Sequence, residues 1–381
     1  MTDDVVQLAP ADFEEALEHL NRAFGFPVGA GDFLSILPKL YQPERMSWNY
    51  AVKTDAGIRA MAGVYPMTLK VGAKTLKVAG IGGVSTHPDA RGKGLMNRLM
   101  SHCMEVMKDA DYDLSCLGGL RHRYGKFGYE VGGLQYQFEF LRQNLWQVPA
   151  KGLRLTPLGD VDDESISFSH ALYERSAVHV IRPEPEFRCI CRTWENRPFA
   201  AFDEQDRPAG YLVADRQKNM IVELCAESPG TAMRMIRAWM DQGDDENVFV
   251  QVKPSDLDLV RQLGETAQSL QAEQSYQWKV LHWSRTVDAF LNLQSSSDPQ
   301  EDGSLVLSLD DLPNLKLTST HGSGTCEETD EPPDLACTER QAVRMIFGPQ
   351  SPAAVMPVPS DARMLESWCP LPLGWSSVDG V

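Results

Sequence analysis

Arg91-Gly92-Lys93-Gly94-Leu95-Met96 sets two cations and two glycines within four residues, just after a β-rich run that stops at His87-Pro88. Beyond it, Leu95, Met96, Leu99, Met100, Cys103, Val106 and Met107 share one face of a helix, with Asn97, Arg98, Ser101, His102, Glu105 and Lys108 opposite. The start of a helix offers unpaired backbone N–H groups and the positive end of its dipole, a natural seat for phosphate. Gly92 and Gly94 let backbone approach an anion closely, while Arg91 and Lys93 add formal charge. The chemistry this predicts is a pyrophosphate cradle. The alternative is a surface helix whose first turn is merely basic. No Gly-Lys-Ser/Thr is present, as a nucleotide P-loop requires, and Asn97 breaks the dinucleotide G-x-G-x-x-G pattern.

The run from Arg91 to Met96 resembles the Arg/Gln-x-x-Gly-x-Gly/Ala signature of the GNAT superfamily of acetyl-CoA-dependent N-acetyltransferases. Met96 replaces the small last residue, as in the Eis-like branch of that superfamily. The resemblance implies a splayed strand before the turn, whose Val84, Ser85 and Thr86 bind the pantetheine arm of acetyl-CoA. It further implies that Arg91, Gly92, Lys93, Gly94, Leu95 and Met96 hold the pyrophosphate, that acetyl-CoA is the co-substrate, and that no metal takes part.

Acetyl transfer from a thioester to an amine needs a neutral amine, donors for the developing oxyanion and a proton for the departing thiolate. Many GNAT enzymes place a Glu as base on the strand before the cradle, yet Thr75 to His87 holds no carboxylate. His87 stands at the strand end either as a candidate base or as a surface hydrogen-bonding residue. Arg123-Tyr124-Gly125-Lys126-Phe127-Gly128-Tyr129-Glu130 resembles the Tyr-Gly-Arg-Phe-Gly-Tyr segment of Eis-like enzymes, which implies that Tyr124 is the general acid. Aromatic packing is the other role open to it. Arg121, Arg123 and Lys126 either draw the phenol's pKa down or are simply solvated. The resemblance implies that the base is the terminal carboxylate, carried here by Val381 and returned to the first domain. Leu365 to Val381 is apolar and Pro-stiffened, with Trp368, Leu371, Leu373 and Trp375 suited to docking, whether for catalysis or plain core packing. Gly380-Val381 departs from the acidic residue and aromatic terminus of aminoglycoside-modifying relatives, and Phe24-Gly25-Phe26-Pro27 is apolar, so the acceptor amine stays open.

A chain of 381 residues suffices for two or three domains, and 43% hydrophobic residues indicate a globular protein. No apolar run approaches the roughly 20 residues of a membrane span, and the acidic start Met1-Thr2-Asp3-Asp4 is unlike a secretory signal. The eight cysteines, Cys189-x-Cys191 among them, lack metal-type spacing, so reduced thiols in a cytoplasmic protein are expected. A net charge of −17 argues against nucleic acid. The same charge favours a small cationic substrate or serves solubility alone.

The elements that must position these residues are read as follows. A strand over 5–8, helices over 12–24 and 32–40, and strands over 46–54, 58–70 and from 75 precede the helix over 91–109. A strand at 113–117, a short helix over 121–127 and a strand over 131–141 complete a first unit, 1–147. A second unit, 148–283, has helices near 163–178, 185–194, 230–242 and 256–263. Its strands fall near 199–203, 209–215, 219–226, 247–252 and 275–283. It repeats the first loosely, but Glu227-Ser228-Pro229-Gly230-Thr231 supplies no cation, so it is expected to lack a cofactor. A third unit, 284–381, opens with a helix from Ser284 to Leu291 and a polar linker over 294–303. Strands over 304–309 and 314–319 and a helix over 337–348, ended at Gly348-Pro349, follow. The fold class expected is α/β (α+β): tandem GNAT-type domains with mixed, mostly antiparallel sheets, then an α+β domain. The layout resembles Eis-like proteins, which implies a sterol-carrier-like third domain and a symmetric homo-oligomer. Two functions follow: an N-acetyltransferase acting on a primary amine, or a non-catalytic CoA- or lipid-binding protein.

Overall fold

The computed structural model describes residues 4–26, 33–149, 152–217, 219–297 and 301–381. Pro27, Asp32, Met1 to Asp3 and residues 298–300 of the expected linker lie outside these. Strand β1 (Val5–Gln7), helix α1 (Phe13–Phe24) and strands β2 (Asn49–Thr54), β3 (Gly57–Val71) and β4 (Lys74–Thr86) come first. Helix α2 (Leu95–Asp109), β5 (Leu114–Leu117) and β6 (Glu130–Val131) follow. Because strand side chains alternate between faces, the sheet is covered on both sides. Leu95, Leu99, Met100, Cys103 and Met107 of α2 pack on Val52, Ala60, Ala62, Val64 and Ala79. Ala16, Leu17 and Leu20 of α1 pack on Ala51, Met61 and Tyr65 from the other side.

The middle of the chain gives β7 (Gln135–Leu141), β8 (Arg154–Pro157), α3 (Asp163–Tyr173), β9 (Val178–Val180), β10 (Arg197–Phe202) and β11 (Pro208–Ala214). After these come β12 (Met220–Ala226), α4 (Pro229–Met240), β13 (Asn247–Val252), α5 (Leu257–Gly264), β14 (Ser269–Glu273) and β15 (Gln277–Val280). The last part holds α6 (Trp283–Ser297), β16 (Gly303–Leu309), β17 (Asn314–Thr320), β18 (Ser323–Thr329), β19 (Leu335–Cys337) and α7 (Glu339–Phe347). Three sheets result: β1-β2-β3-β4-β5-β15-β6 with β9 on β3, β14-β7-β13-β12-β11-β10-β8, and β18-β17-β16-β19. Among the described residues, no helix is long and apolar enough to cross a membrane.

Strands do not stay with their neighbours in sequence. The strand expected over 131–141 breaks at Gly132-Gly133, where Gly133 takes φ +74°, and its second half, β7, joins the second sheet. A Cβ on Gly132 would meet Val343 at 2.7 Å, so the bend is closed tightly under α7. Conversely, β15 returns to the first sheet and seats between β5 and β6. The helix expected over 163–178 ends at Tyr173, because Val178–Val180 pairs with Leu69–Val71. Expected helices over 32–40 and 185–194 shrink to the single turns Phe33–Ile36 and Phe187–Ile190, the latter with 3-10 turns on either side. The expected linker at 294 is still α6, which runs to Ser297. Leu69, Val71, Leu76 and Val78 of the β3–β4 hairpin share one core with Val287, Leu307, Phe347, Trp368 and Trp375, joining the last part of the chain to that hairpin.

Candidate active site

Strand β4 and strand β5 run parallel but pair only from Val78–Gly80 to Leu114–Cys116. Beyond Gly80, β4 continues to Thr86 while β5 ends at Leu117, so the two part company and leave one edge of Ile81 to Thr86 open. On its other edge β4 carries one extra residue against β3: Gly82 faces Gly63 but Ser85 faces Met61. Gly83 absorbs this bulge at φ +60°, re-aiming the backbone where the strands diverge. Ser85 is buried, and its hydroxyl donates to the Gly83 carbonyl at 3.0 Å and lies 3.0 Å from His19 Nε2. Val84 and Thr86 are half-buried.

The turn after β4 reaches α2 through Gly92 at φ +77° and Gly94 at φ +76°, the latter its N-cap. Among the described residues, no side chain caps the helix and nothing lies within 4 Å of a Cβ placed on either glycine. The first-turn amides therefore face open space. Arg91, Gly92, Lys93 and Gly94 are exposed, Leu95 is buried and Met96 half-buried. The 3-10 turn Pro88–Ala90, not helix, fills the gap before Arg91, with the His87 ring accepting from the Asp89 amide at 3.3 Å. His87 also contacts Arg22 at 3.2 Å, a hydrogen-bonding surface role.

Burial lowers the pKa of His19 to about 4, with the nearby positive charge of His87 adding to the effect. A folded-state pKa below the ordinary 6.5 means the stability tied to neutral His19 is complete above pH 6.5 and is lost as pH falls toward 4. Melting temperature measured from pH 7 to 4 should therefore fall less in His19→Gln than in the parent. Equal slopes would show that His19 charges freely.

Tyr124 closes a one-turn helix, Arg121–Tyr124, that follows Gly118-Gly119 at the end of β5. Its ring packs edge-on to Tyr129 at 6.4 Å, and a Cβ on Gly119 would touch it at 3.0 Å. Only 8% of the residue is exposed. Of the two roles open to the neighbouring cations, a net downward tuning of the phenol is not found. Burial, the larger influence, raises the phenol above its ordinary value, with Arg123 opposing. Arg121 is instead held by buried Glu130 at 2.5 Å, and Lys126 by Asn97. A proton donor that stays protonated suits an acid.

Val381 returns to this same strand. A Cβ on Gly80 would stand 2.7 Å from Val381 Cγ2, and one on Gly82 would stand 2.8 Å from its backbone carbonyl carbon. Glycines two apart on one strand face mark such a close approach. Further contacts hold the tail, and the sequence does not announce them. Lys39 Nζ donates to the Val378 carbonyl at 3.1 Å, and burial lowers that lysine to about 8. A Cβ on Gly380 would meet the Tyr276 hydroxyl at 2.5 Å and Trp194 Nε1 at 2.8 Å. Arg182, buried, grips Asp379 through Nε at 2.8 Å and Nη2 at 2.9 Å and Glu223 through Nη1 at 2.8 Å. Removing one partner of such a buried group costs about 3–5 kcal/mol. Beside the tail lies a cavity of about 310 Å³, lined by Lys39, Trp48, Tyr65, Met67, Arg182 and Asp379. Tyr65 and Met67 also touch the seat of Val381.

The family model described as acetyltransferase (GNAT) domain matches residues 4–132. That match supports the GNAT acetyltransferase superfamily. A GCN5-related N-acetyltransferase from Kribbella flavida has 18% identity and a TM-score of 0.69, over 96% of this chain and 95% of its own. One from Anabaena variabilis has 16% and 0.69, over 98% of both chains. Eis1 from Mycobacterium abscessus has 14% and 0.67, again over 98% of both. At these identities the likeness is one of fold, and it extends over nearly the whole chain. No curated protein sequence matches it. The GNAT-type fold supports acyl transfer from an acyl-CoA, and the open edge of β4 with the uncapped start of α2 fits that co-substrate. Arg91 and Lys93 are solvent-exposed beside those amides.

Proposed function

We propose that the protein transfers the acetyl group of acetyl-CoA to a primary amine. What carries this reading is the parting of β4 from β5 directly before an uncapped, glycine-flanked helix start with Arg91 and Lys93. Arg91, Gly92, Lys93, Gly94, Leu95 and Met96 would hold the pyrophosphate, and the free backbone of Val84, Ser85 and Thr86 the pantetheine arm. Bound acetyl-CoA supplies an activated acyl carbon on a thiol leaving group.

The residues of this chain would then move two protons. In a chain ending at Val381, its carboxylate accepts the proton that the acceptor ammonium must lose to become a nucleophile. Tyr124 donates its phenolic proton to the departing sulfur and is reprotonated, through solvent, by the proton the attacking nitrogen sheds as the amide forms, while the carboxyl group returns its own proton to solvent. The net change is one amide formed, one thioester broken and one free thiol released. The acceptor would occupy the cavity beside the tail, where Trp48, Tyr65 and Met67 form apolar walls. Each acid on that lining already holds an arginine: Asp379 with Arg182 and Glu186 with Arg45 at 2.5 Å. In this reading the units are 1–147, 148–283 and 284–381, and the sterol-carrier-like third unit is the scaffold that brings the tail home.

A thiol-release assay over polyamines, aminoglycosides, lysine peptides and arylamines tests the assignment. Turnover with one amine class, dependent on acetyl-CoA, supports it. Acetyl-CoA binding without turnover on the whole panel would overturn it.

A further inference from the structure

We propose that Arg182 is a positioning residue that sets the register of the terminal carboxylate, acting through Asp379. This rests on the reading of Val381 as base.

Arg182 follows β9, the segment that crosses from the second unit to pair with β3. It is 2% exposed, and its Nε, Nη1 and Nη2 are all engaged: toward Asp379 at 2.8 and 2.9 Å, and toward Glu223 of β12 at 2.8 Å twice. Its plane lies 3.9 Å from the centre of the Tyr173 ring, and Tyr211 donates to Glu223 at 2.8 Å. Glu223 therefore holds Nη1 and Nη2 from a side other than the tail, and Nε and Nη2 are turned to Asp379. A guanidinium held this way presents two donors at a set spacing and angle, which a lysine could not do.

Asp379 is two residues from Val381, so the clamp sits within one extended dipeptide of the carboxylate. Between them, Gly380 passes a slot formed by Tyr276 and Trp194 that excludes a Cβ. Trp194 is delivered there by left-handed backbone at φ +62°, followed by Glu195 at φ +60°. Such conformations in non-glycine residues persist where the surroundings over-determine them, and they gather at functional sites. Successive residues are thus fixed by different elements: 378 by Lys39, 379 by Arg182, 380 by the slot and 381 by β4. Stability alone does not require this triad, because a buried ion cluster is often replaced by neutral groups without loss. A carboxylate that must stand at one point on β4 does require it.

Two full-length variants separate position from stability. Asp379→Glu keeps every charge but lengthens the arm by one methylene. Arg182→Met/Glu223→Gln/Asp379→Asn removes the three charges of the triad together, leaving Lys39 on the Val378 carbonyl. Both are assayed by thiol release with the best acceptor, by calorimetric titration with acetyl-CoA and by thermal melting. The expected result is kcat reduced by roughly 10–100-fold. Acetyl-CoA affinity should stay within about twofold, and the melting temperature of the triple variant near the parent's. Parental kcat in a folded triple variant, or in Asp379→Glu should the triple not fold, overturns the proposal. An extended chain settles which idea has failed. If extension past Val381 leaves full activity, the base reading falls and this inference with it. If extension inactivates the enzyme but Asp379→Glu keeps parental kcat, this inference alone falls.

Discussion

Tyr124→Phe is expected to lower kcat for acetyl transfer by about 100-fold or more, the scale of losing a positioned general acid. Acetyl-CoA affinity should hardly change. The substitution removes only the hydroxyl, so the edge contact with Tyr129 and the packing under Gly119 persist. Burial holds the phenol protonated above its ordinary range, so parental activity should not decline through Tyr124 between pH 7 and 9. Steady-state thiol release with both proteins reads the effect. A Phe variant with parental kcat would leave Tyr124 as a packing residue, and the leaving group would need another source for its proton.

Adding Gly-Ser after Val381 is expected to be at least as damaging. In a chain ending at Val381, the added peptide turns the carboxylate beside Gly82 into a neutral amide and drives two more residues into a space where a Cβ on Gly82 would already stand 2.8 Å from the Val381 backbone carbon. Loss of a general base alone accounts for about 100–10,000-fold. The clamp on Asp379 and the core around Trp368 and Trp375 lie upstream, so melting temperature and acetyl-CoA affinity should stay near the parent's. Turnover, burst amplitude and affinity measured on both chains separate chemistry from folding. Undiminished turnover would remove the terminal carboxylate from the mechanism.

The glycine-flanked start of α2 is legible because its signals are local. Period-3.6 apolar residues from Leu95 to Met107 define α2, and Gly92 and Gly94 adopt the positive φ that glycine permits. Strands β2 to β4 follow from alternation and the Asp55-Ala56-Gly57 turn, with Gly57 at φ +90°. The exchange of β7 and β15 between sheets was not legible, because nothing in Gln135–Leu141 states which sheet edge it will meet. The same limit hid the tail's anchors. Arg182 and Asp379 are 197 residues apart, and each reads in sequence as an ordinary surface charge. Gly80 and Gly82 did carry a signal: alternate glycines on one strand face announce that something lies close, and that something is Val381. The phenol of Tyr124 is raised because the burial of its ring outweighs cations that are either solvated or already paired, as Arg121 is with Glu130.

The account stands on acetyl-CoA binding at the start of α2, and calorimetric titration of the parent and of Arg91→Ala/Lys93→Ala measures that directly. The predicted result is saturable binding by the parent and roughly 30-fold or greater weakening in the variant, about 2 kcal/mol. Equal affinity in both proteins, or no binding by the parent, would contradict it.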